Sequence, residues 1–219
     1  MIDFKIPDET KAIRDKVRNF VQSECHPAEE NCTAENFDEV LAGLRKTARS
    51  QGLWCPFVPE EHGGMGLRPL ANALVQMELG ESFLGALALN TQGPDDATML
   101  TLLEHGTDFQ KEKFLKPLLN GEKRICYSMT EKAAGADATG MQTKAELDGD
   151  EWVLNGEKWF SSSASVADIA VVMAKTDPDA AGHEQYSTFI VELPNPGYNI
   201  LRNIETMQPH TELGLKLGG

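Results

Sequence analysis

The residues whose types and spacing point to chemistry fall in two clusters, Thr130 to Gly140 and Ser161 to Ser165. Tyr127 stands beside the first and the pair Trp159–Phe160 beside the second. Hydroxyls and bare backbone approach a ligand closely and offer it hydrogen bonds, while aromatic rings offer it a face. That combination suits a flat, polar, partly aromatic ligand. Turns that are merely rich in Gly, Ala and Ser are the competing reading, and spacing alone does not choose between them.

The elements that must position these clusters change character near residues 121 to 125. Before that point the apolar residues recur with a helical period. Ile13, Val17, Phe20 and Val21 share one face of a first helix that Pro27 is predicted to stop. Phe37, Val40, Leu41 and Leu44 repeat the pattern as far as Gly52. A third helix is predicted from Pro69 to Glu78, carrying Leu70, Leu74 and Met77, with Gly80 near its end. "FLGALALN" reads as a buried helix, and "PDDATMLTLLEH" follows with Pro94 at its start and Gly106 past its end. Thr107 to Gln110 fits a capping box for a last helix whose Phe109 and Leu115 point inward. Nothing in this half forms an acid–base constellation.

After Gly121 the period alternates. "MQTKAEL" and "EWVLNGEKWF" flank Asp148-Gly149-Asp150, a turn that should close a hairpin. "DIAVVMAKT" reads as a strand buried on both sides, and "YSTFIVEL" as another. The expected fold is therefore α+β and multidomain: an all-α helical bundle over 1–122, then a small antiparallel β-barrel or sandwich over 123–219. Domain junctions favour ligands, and the small-residue loops fall where the two halves meet.

Composition narrows the function further. Twenty Lys and Arg against 34 Asp and Glu give a net charge of −14, which argues against a nucleic-acid partner. Four cysteines without a CxxC pair imply free thiols in a reducing compartment, and five scattered histidines show no metal-ligand spacing. Cys25–His26 reads as local packing. There is no apolar signal core and no long apolar run, so cytoplasm or an organelle matrix is expected.

Taken in order, the motifs resemble the acyl-CoA dehydrogenase family, flavoenzymes built as helical, β and helical domains. "PEEHGGMG" from Pro59 resembles its first-domain loop, and "HGTDFQKEKFLKPLLNGE" its last helix before the β domain. "YSMTEKAAGAD" is similar to an aromatic followed by Thr-Glu-Pro-Gly-Ala-Gly-Ser-Asp. "DGDEWVLNGEKWFSSSAS" and "KTDPDAAGHEQYSTFIVELPNPGYNI" continue in register. The resemblance implies FAD as cofactor, with Tyr127 to Ala136 running along the flavin ring and pyrophosphate. Met129 would pack beside the ring, and Thr130 would hydrogen-bond its pyrimidine side. Phe160 would stack on the ring face in place of the usual Trp, with Ser161 next to it and Ser162 bonding N5. Such donors stabilise the electron-rich reduced flavin.

The resemblance also implies an acyl-CoA thioester as substrate, with Ala136 and Asp137 on its side of the site. An electron-transfer acceptor protein and a homo-oligomer, dimer or tetramer, are implied as partners, in acyl-CoA and fatty-acid catabolism. Three departures stand out. Lys132-Ala133-Ala134-Gly135-Ala136 replaces Pro-Gly-Ala-Gly-Ser, so a hydroxyl facing the nucleotide tail becomes a methyl at Ala136. Lys132 adds a cation, read as facing solvent. The family's second helical domain, which supplies the carboxylate that removes the α-proton, has no counterpart here. No catalytic residue is therefore assigned in this chain, and its β domain is expected to be incomplete at its C-terminal edge. A fragment, the ordered part of a longer chain, a split subunit, or a non-catalytic flavin- or partner-binding relative would each fit.

Overall fold

The computed structural model describes residues 5–204. They divide into two compact units, one ending at Glu122 and the other beginning at Lys123. The expected incompleteness of the β domain at its C-terminal edge falls on residues outside those described.

The first unit is helical. Helix α1, Asp8–Phe20, carries Asp8 and Glu9 in its first turn and Arg18 in its last, which complements the helix dipole, and it buries Val17 and Phe20. Pro27 does not stop the helix as the sequence predicts. The backbone widens into a π-turn, Val21–Cys25, and α2, His26–Glu30, resumes with Pro27 in its first turn. Pro27, which has no N–H to donate, falls where the wider turn hands over to the α-helix. Helix α3 spans Phe37–Ser50, and α4 spans Pro69–Leu79.

Helix α4 has two apolar stripes, and the structure buries the one the sequence does not single out. Ala71, Val75 and Leu79 face inward, while Leu70 and Met77 lie exposed at 52% and 68%. Two things fix this rotation. Small Ala71 suits the packing of α4 on α1, and Arg18 makes a two-pronged ion pair with Glu78, at 2.9 and 2.7 Å.

The buried apolar run contains only one helical turn, α5, Gly85–Ala88. Helix α6, Asp95–His105, follows. The predicted capping box then opens α7, Asp108–Gln110: the Gln110 N–H donates to Thr107 Oγ1 and the Thr107 N–H donates to Gln110 Oε1. A second π-turn, Lys111–Leu115, precedes Pro117 in α8, Lys116–Leu119. Leu115 is buried as expected, but Phe109 is 67% exposed. It sits in the capped first turn beneath the Lys113 ammonium, and Phe114, Leu115 and Leu118 fill the inner face instead.

The second unit is a five-stranded sheet that is mixed and open, where the sequence predicts an antiparallel barrel or sandwich. Strand β1 is Ile125–Ser128, β2 Lys144–Asp148, β3 Glu151–Asn155, β4 Ile169–Lys175 and β5 Tyr186–Glu192. β4 is the spine. It pairs with β5 antiparallel along its whole length and with β1 in parallel, Ile125 opposite Ile169 through Ser128 opposite Val172. β2 meets β4 at a single parallel pair, Lys144 with Lys175. The parallel pairings follow from the long excursion between β1 and β2, which returns the chain in the direction of β4; a tight turn would have forced an antiparallel pair.

The hairpin is as predicted: β2 and β3 pair from Lys144–Asn155 to Asp148–Glu151, and Gly149 takes φ +63° in the turn. β4 is buried on both sides, with Ile169, Ala170, Val171 and Val172 nearly inaccessible. Trp152 of β3 meets Phe189 of β5 edge to face, with centroids 5.5 Å apart, so the hairpin curls back over the sheet. The strand predicted to reach Trp159–Phe160 ends at Asn155. Gly156 approaches Thr143 so closely that a Cβ there would lie 2.2 Å from Thr143 Oγ1, and the chain then leaves the ladder.

Candidate functional site

The loop that follows β3 lies antiparallel to the end of β1. The Trp159 N–H donates to the Thr130 carbonyl at 2.8 Å. Two residues to one side, Ser128 Oγ and Ser161 Oγ lie 2.8 Å apart, and one residue to the other, Lys158 Nζ donates to Glu131 Oε1 at 2.9 Å. Segments 128–131 and 158–161 are therefore cross-linked at three levels. This pairing brings together Met129, Thr130, Phe160, Ser161 and Ser162, which are far apart in the chain.

Their environments differ. Phe160 is 59% exposed with φ +58°, the left-handed region that a bulky residue adopts only when its surroundings hold it there. Its ring lies 5.6 Å from that of Trp159 at 48°. Ser161 turns inward to Ser128, while Ser162 is exposed and its N–H donates to the Phe160 carbonyl. Among the described residues the hydroxyls of Thr130 and Ser162 make no hydrogen bond. The Trp159 indole N–H is buried without a partner, and the Arg202 guanidinium lies over that ring at 5.2 Å.

The other predicted residues are placed elsewhere. Tyr127 faces the opposite side of β1 from Ser128, and burial pushes its phenol up against the opposing hydrogen bond with Thr188. Ala136 and Asp137 are exposed. The Asp137 carboxylate accepts from the backbone N–H and hydroxyl of Thr139, which lower its pKa. These three share no hydrogen bond with the paired segments.

Two groups of residues lie outside the predicted site residues. The first is the buried ion pair. Glu131 takes the N–H groups of Gln142 and Thr143, and Lys158 also donates to the Met129 carbonyl at 2.9 Å. Burial opposes ionisation of Glu131, yet its neighbours hold its pKa down at about 2. The Thr143 hydroxyl beside it lacks a partner of hydrogen-bond geometry, so the Gln142 N–H, Lys158 and the Thr143 N–H carry most of that effect. Lys158 is itself lowered, because burial outweighs the pull of Glu131. No sequence signal separates Lys158 from a surface lysine.

The second group is a chain of polar atoms behind Ser161. Tyr198 OH lies 3.3 Å from Ser128 Oγ and 3.5 Å from Cys126 Sγ. Alternation along β1 could have found these, since it puts Cys126 and Ser128 on one face. All four cysteines are buried free thiols, and burial pushes Cys25 to about 12 and Cys55 to about 11, so neither is poised as a nucleophile. Among the described residues no His, Cys, Asp and Glu group could hold a metal ion, and no helix is long and apolar enough to cross a membrane.

The paired segments thus present an exposed aromatic face and two hydroxyls uncommitted among the described residues, a set that suits a flat ring with a hydrogen-bonding edge. The N-terminal domain of acyl-CoA dehydrogenases matches residues 7–122, and the middle domain matches residues 126–216. An "Acyl-CoA dehydrogenase family member 11" of Gallus gallus is 36% identical over 202 residues, covering 85% of this chain and 26% of its own. A solved putative acyl-CoA dehydrogenase from Mycobacterium abscessus aligns with a TM-score of 0.85 at 31% identity, over 93% of this chain and 55% of its own. An acyl-CoA dehydrogenase from Bacillus anthracis, solved in complex with FAD, aligns at 0.72 and 30%, over 100% of this chain and 35% of its own. The chain therefore spans from about a quarter to about half the length of these relatives.

Proposed function

The chain belongs to the acyl-CoA dehydrogenase family, and from that premise we propose that it forms the FAD-facing part of an enzyme that dehydrogenates an acyl-CoA thioester between its α and β carbons. The observation that carries this reading is the pairing of segment 128–131 with 158–161, which leaves the hydroxyls of Thr130 and Ser162 uncommitted beside the exposed ring of Phe160. Bound FAD would supply the two-electron oxidant. Thr130 and Ser162 would donate hydrogen bonds to its ring edge, Phe160 would cover one face and Met129 would pack alongside. Donors fixed in place before the ligand arrives stabilise charge without reorganising, which favours electron acceptance.

Ala136 and Asp137 are assigned to the acyl-CoA side, with Asp137 shaping its loop through Thr139. Glu131 is not the base that takes the α-proton: it is enclosed, ion-paired and held at a pKa of about 2. The base is assigned outside the paired segments. An electron-accepting protein, further copies of the chain and a cytoplasmic or matrix location complete the proposal. A second reading, a flavin- or partner-binding subunit without dehydrogenation chemistry, is favoured by that same engagement of Glu131.

Titration of the chain with FAD, followed by quenching of flavin fluorescence, tests the proposal. Saturable binding, with FAD released intact on denaturation, is the expected result. A chain that takes up no FAD would refute it.

A further inference from the structure

We propose that Glu131 and Lys158 are positioning residues, whose ion pair sets the flavin-facing edge by fixing how residues 158–162 lie against residues 128–131. The inference rests on the flavin-binding reading and goes beyond it, because neither side chain is placed in contact with the ligand.

The pair is nearly sealed, with the Glu131 side chain 6% and the Lys158 side chain 10% exposed. Stability alone is a weak reason to bury such a pair, since apolar residues of similar volume usually serve as well. Geometric specification is the better explanation here, because the pair joins three backbone segments. The Glu131 carboxylate takes the N–H groups of Gln142 and Thr143, and Glu131 and Ala134 exchange two backbone hydrogen bonds of 3.1 Å that close the turn. The Lys158 ammonium has three N–H groups and three acceptors around it: Glu131 Oε1 and the Met129 carbonyl, each at 2.9 Å, and Met141 Sδ at 3.5 Å. A planar guanidinium does not reproduce that arrangement.

What this fixes is visible two residues on. Lys158 anchors one end of the short loop, Ser161 anchors the other through Ser128, and the Trp159 N–H is tied to Thr130 between them. Phe160 is forced outward at φ +58°. A bulky residue keeps that conformation only while both ends are held. Freeing Lys158 therefore lets residues 159–162 relax, which moves Phe160 and Ser162 relative to Thr130.

The test uses the full chain as wild type, Glu131→Gln, Lys158→Met, the double variant and Lys158→Arg, with circular dichroism to establish folding. In FAD-free protein, hydrogen exchange of the Trp159 amide should quicken by roughly tenfold or more in Lys158→Met and Glu131→Gln. With FAD as probe, affinity should fall by roughly tenfold to a hundredfold, the bound-flavin absorption should shift, and the double variant should be no worse than either single. If Lys158→Met does not fold, Lys158→Arg, which keeps the charge, is read in the same way. Unchanged Trp159 exchange overturns the inference whether or not FAD binds. Loosened exchange with wild-type FAD affinity and spectrum overturns it too. A wild type that binds no FAD refutes the flavin reading alone.

Discussion

Phe160 carries the sharpest physical signal in the molecule, because it is both strained and exposed. A non-glycine residue in the left-handed region costs about 1–2 kcal/mol, and an aromatic ring at 59% exposure recovers little of that by burial. Such strain persists where function requires it. Phe160→Gly removes the strain together with the ring contact to Trp159, worth about 0.5–1.5 kcal/mol, so the two changes nearly cancel. Stability in urea should move by less than about 1 kcal/mol, whereas FAD affinity should fall by about tenfold. A large stability loss with unchanged affinity would make Phe160 a packing residue. Thr130 and Ser162 make the complementary case, with hydroxyls that no described residue uses. Replacing both by Val should leave folding nearly intact and weaken FAD binding by about 0.5–1.5 kcal/mol for each lost bond, as isothermal titration would read.

At the scale of elements, the end of β1 and the loop after β3 act as one unit because a charged pair and two hydrogen bonds cross between them. That linkage has a pH signature. Glu131 titrates at about 2 when folded, below its ordinary 4.5, so its contribution is complete above about pH 4.5 and is lost as the pH falls towards 2. Lys158, lowered from 10.5, does not enter that window. Denaturation measured from pH 6 down to about 2 should therefore lose on the order of 3 kcal/mol from this group, and Glu131→Gln should flatten that slope. An unchanged slope would show the carboxylate to be unpaired in solution. Such pairings are where sequence reading ends. The β2–β3 hairpin, the capping box and the buried β4 were legible because each rests on local chemistry: a glycine turn, a Thr–Gln exchange, an unbroken apolar run. The burial of Ala71 over Leu70, the parallel join of β1 to β4 and the partner of Lys158 depend on distant segments, and no local period encodes them. The site residues themselves came from motif resemblance, and their adjacency came from the fold.

For the whole molecule, the question is what this chain does alone. Dehydrogenation of a thioester needs a base at the α-carbon in concert with loss of the β-hydride, and general-base help is worth roughly a hundred- to ten-thousand-fold. Alignment of the reacting groups contributes several kcal/mol more, roughly 7–11 where geometry is ideal. Among the described residues, the acids in the small-residue loop are Glu131, locked to Lys158, and Asp137, tied to Thr139. A carboxylate at a pKa of about 2 is a weak base, and using Glu131 would also dismantle the support beneath Thr130. The relatives are about two to four times as long, so they have further chain from which such a base can come. The chain loaded with FAD should therefore leave the flavin absorption unbleached when an acyl-CoA is added, at any pH from 6 to 9. Supplying the further chain of a longer relative, in cis or as a second chain, should give bleaching and turnover with an artificial electron acceptor. Bleaching by the chain alone, abolished in Glu131→Gln while FAD stays bound, would make Glu131 the base and overturn this assignment.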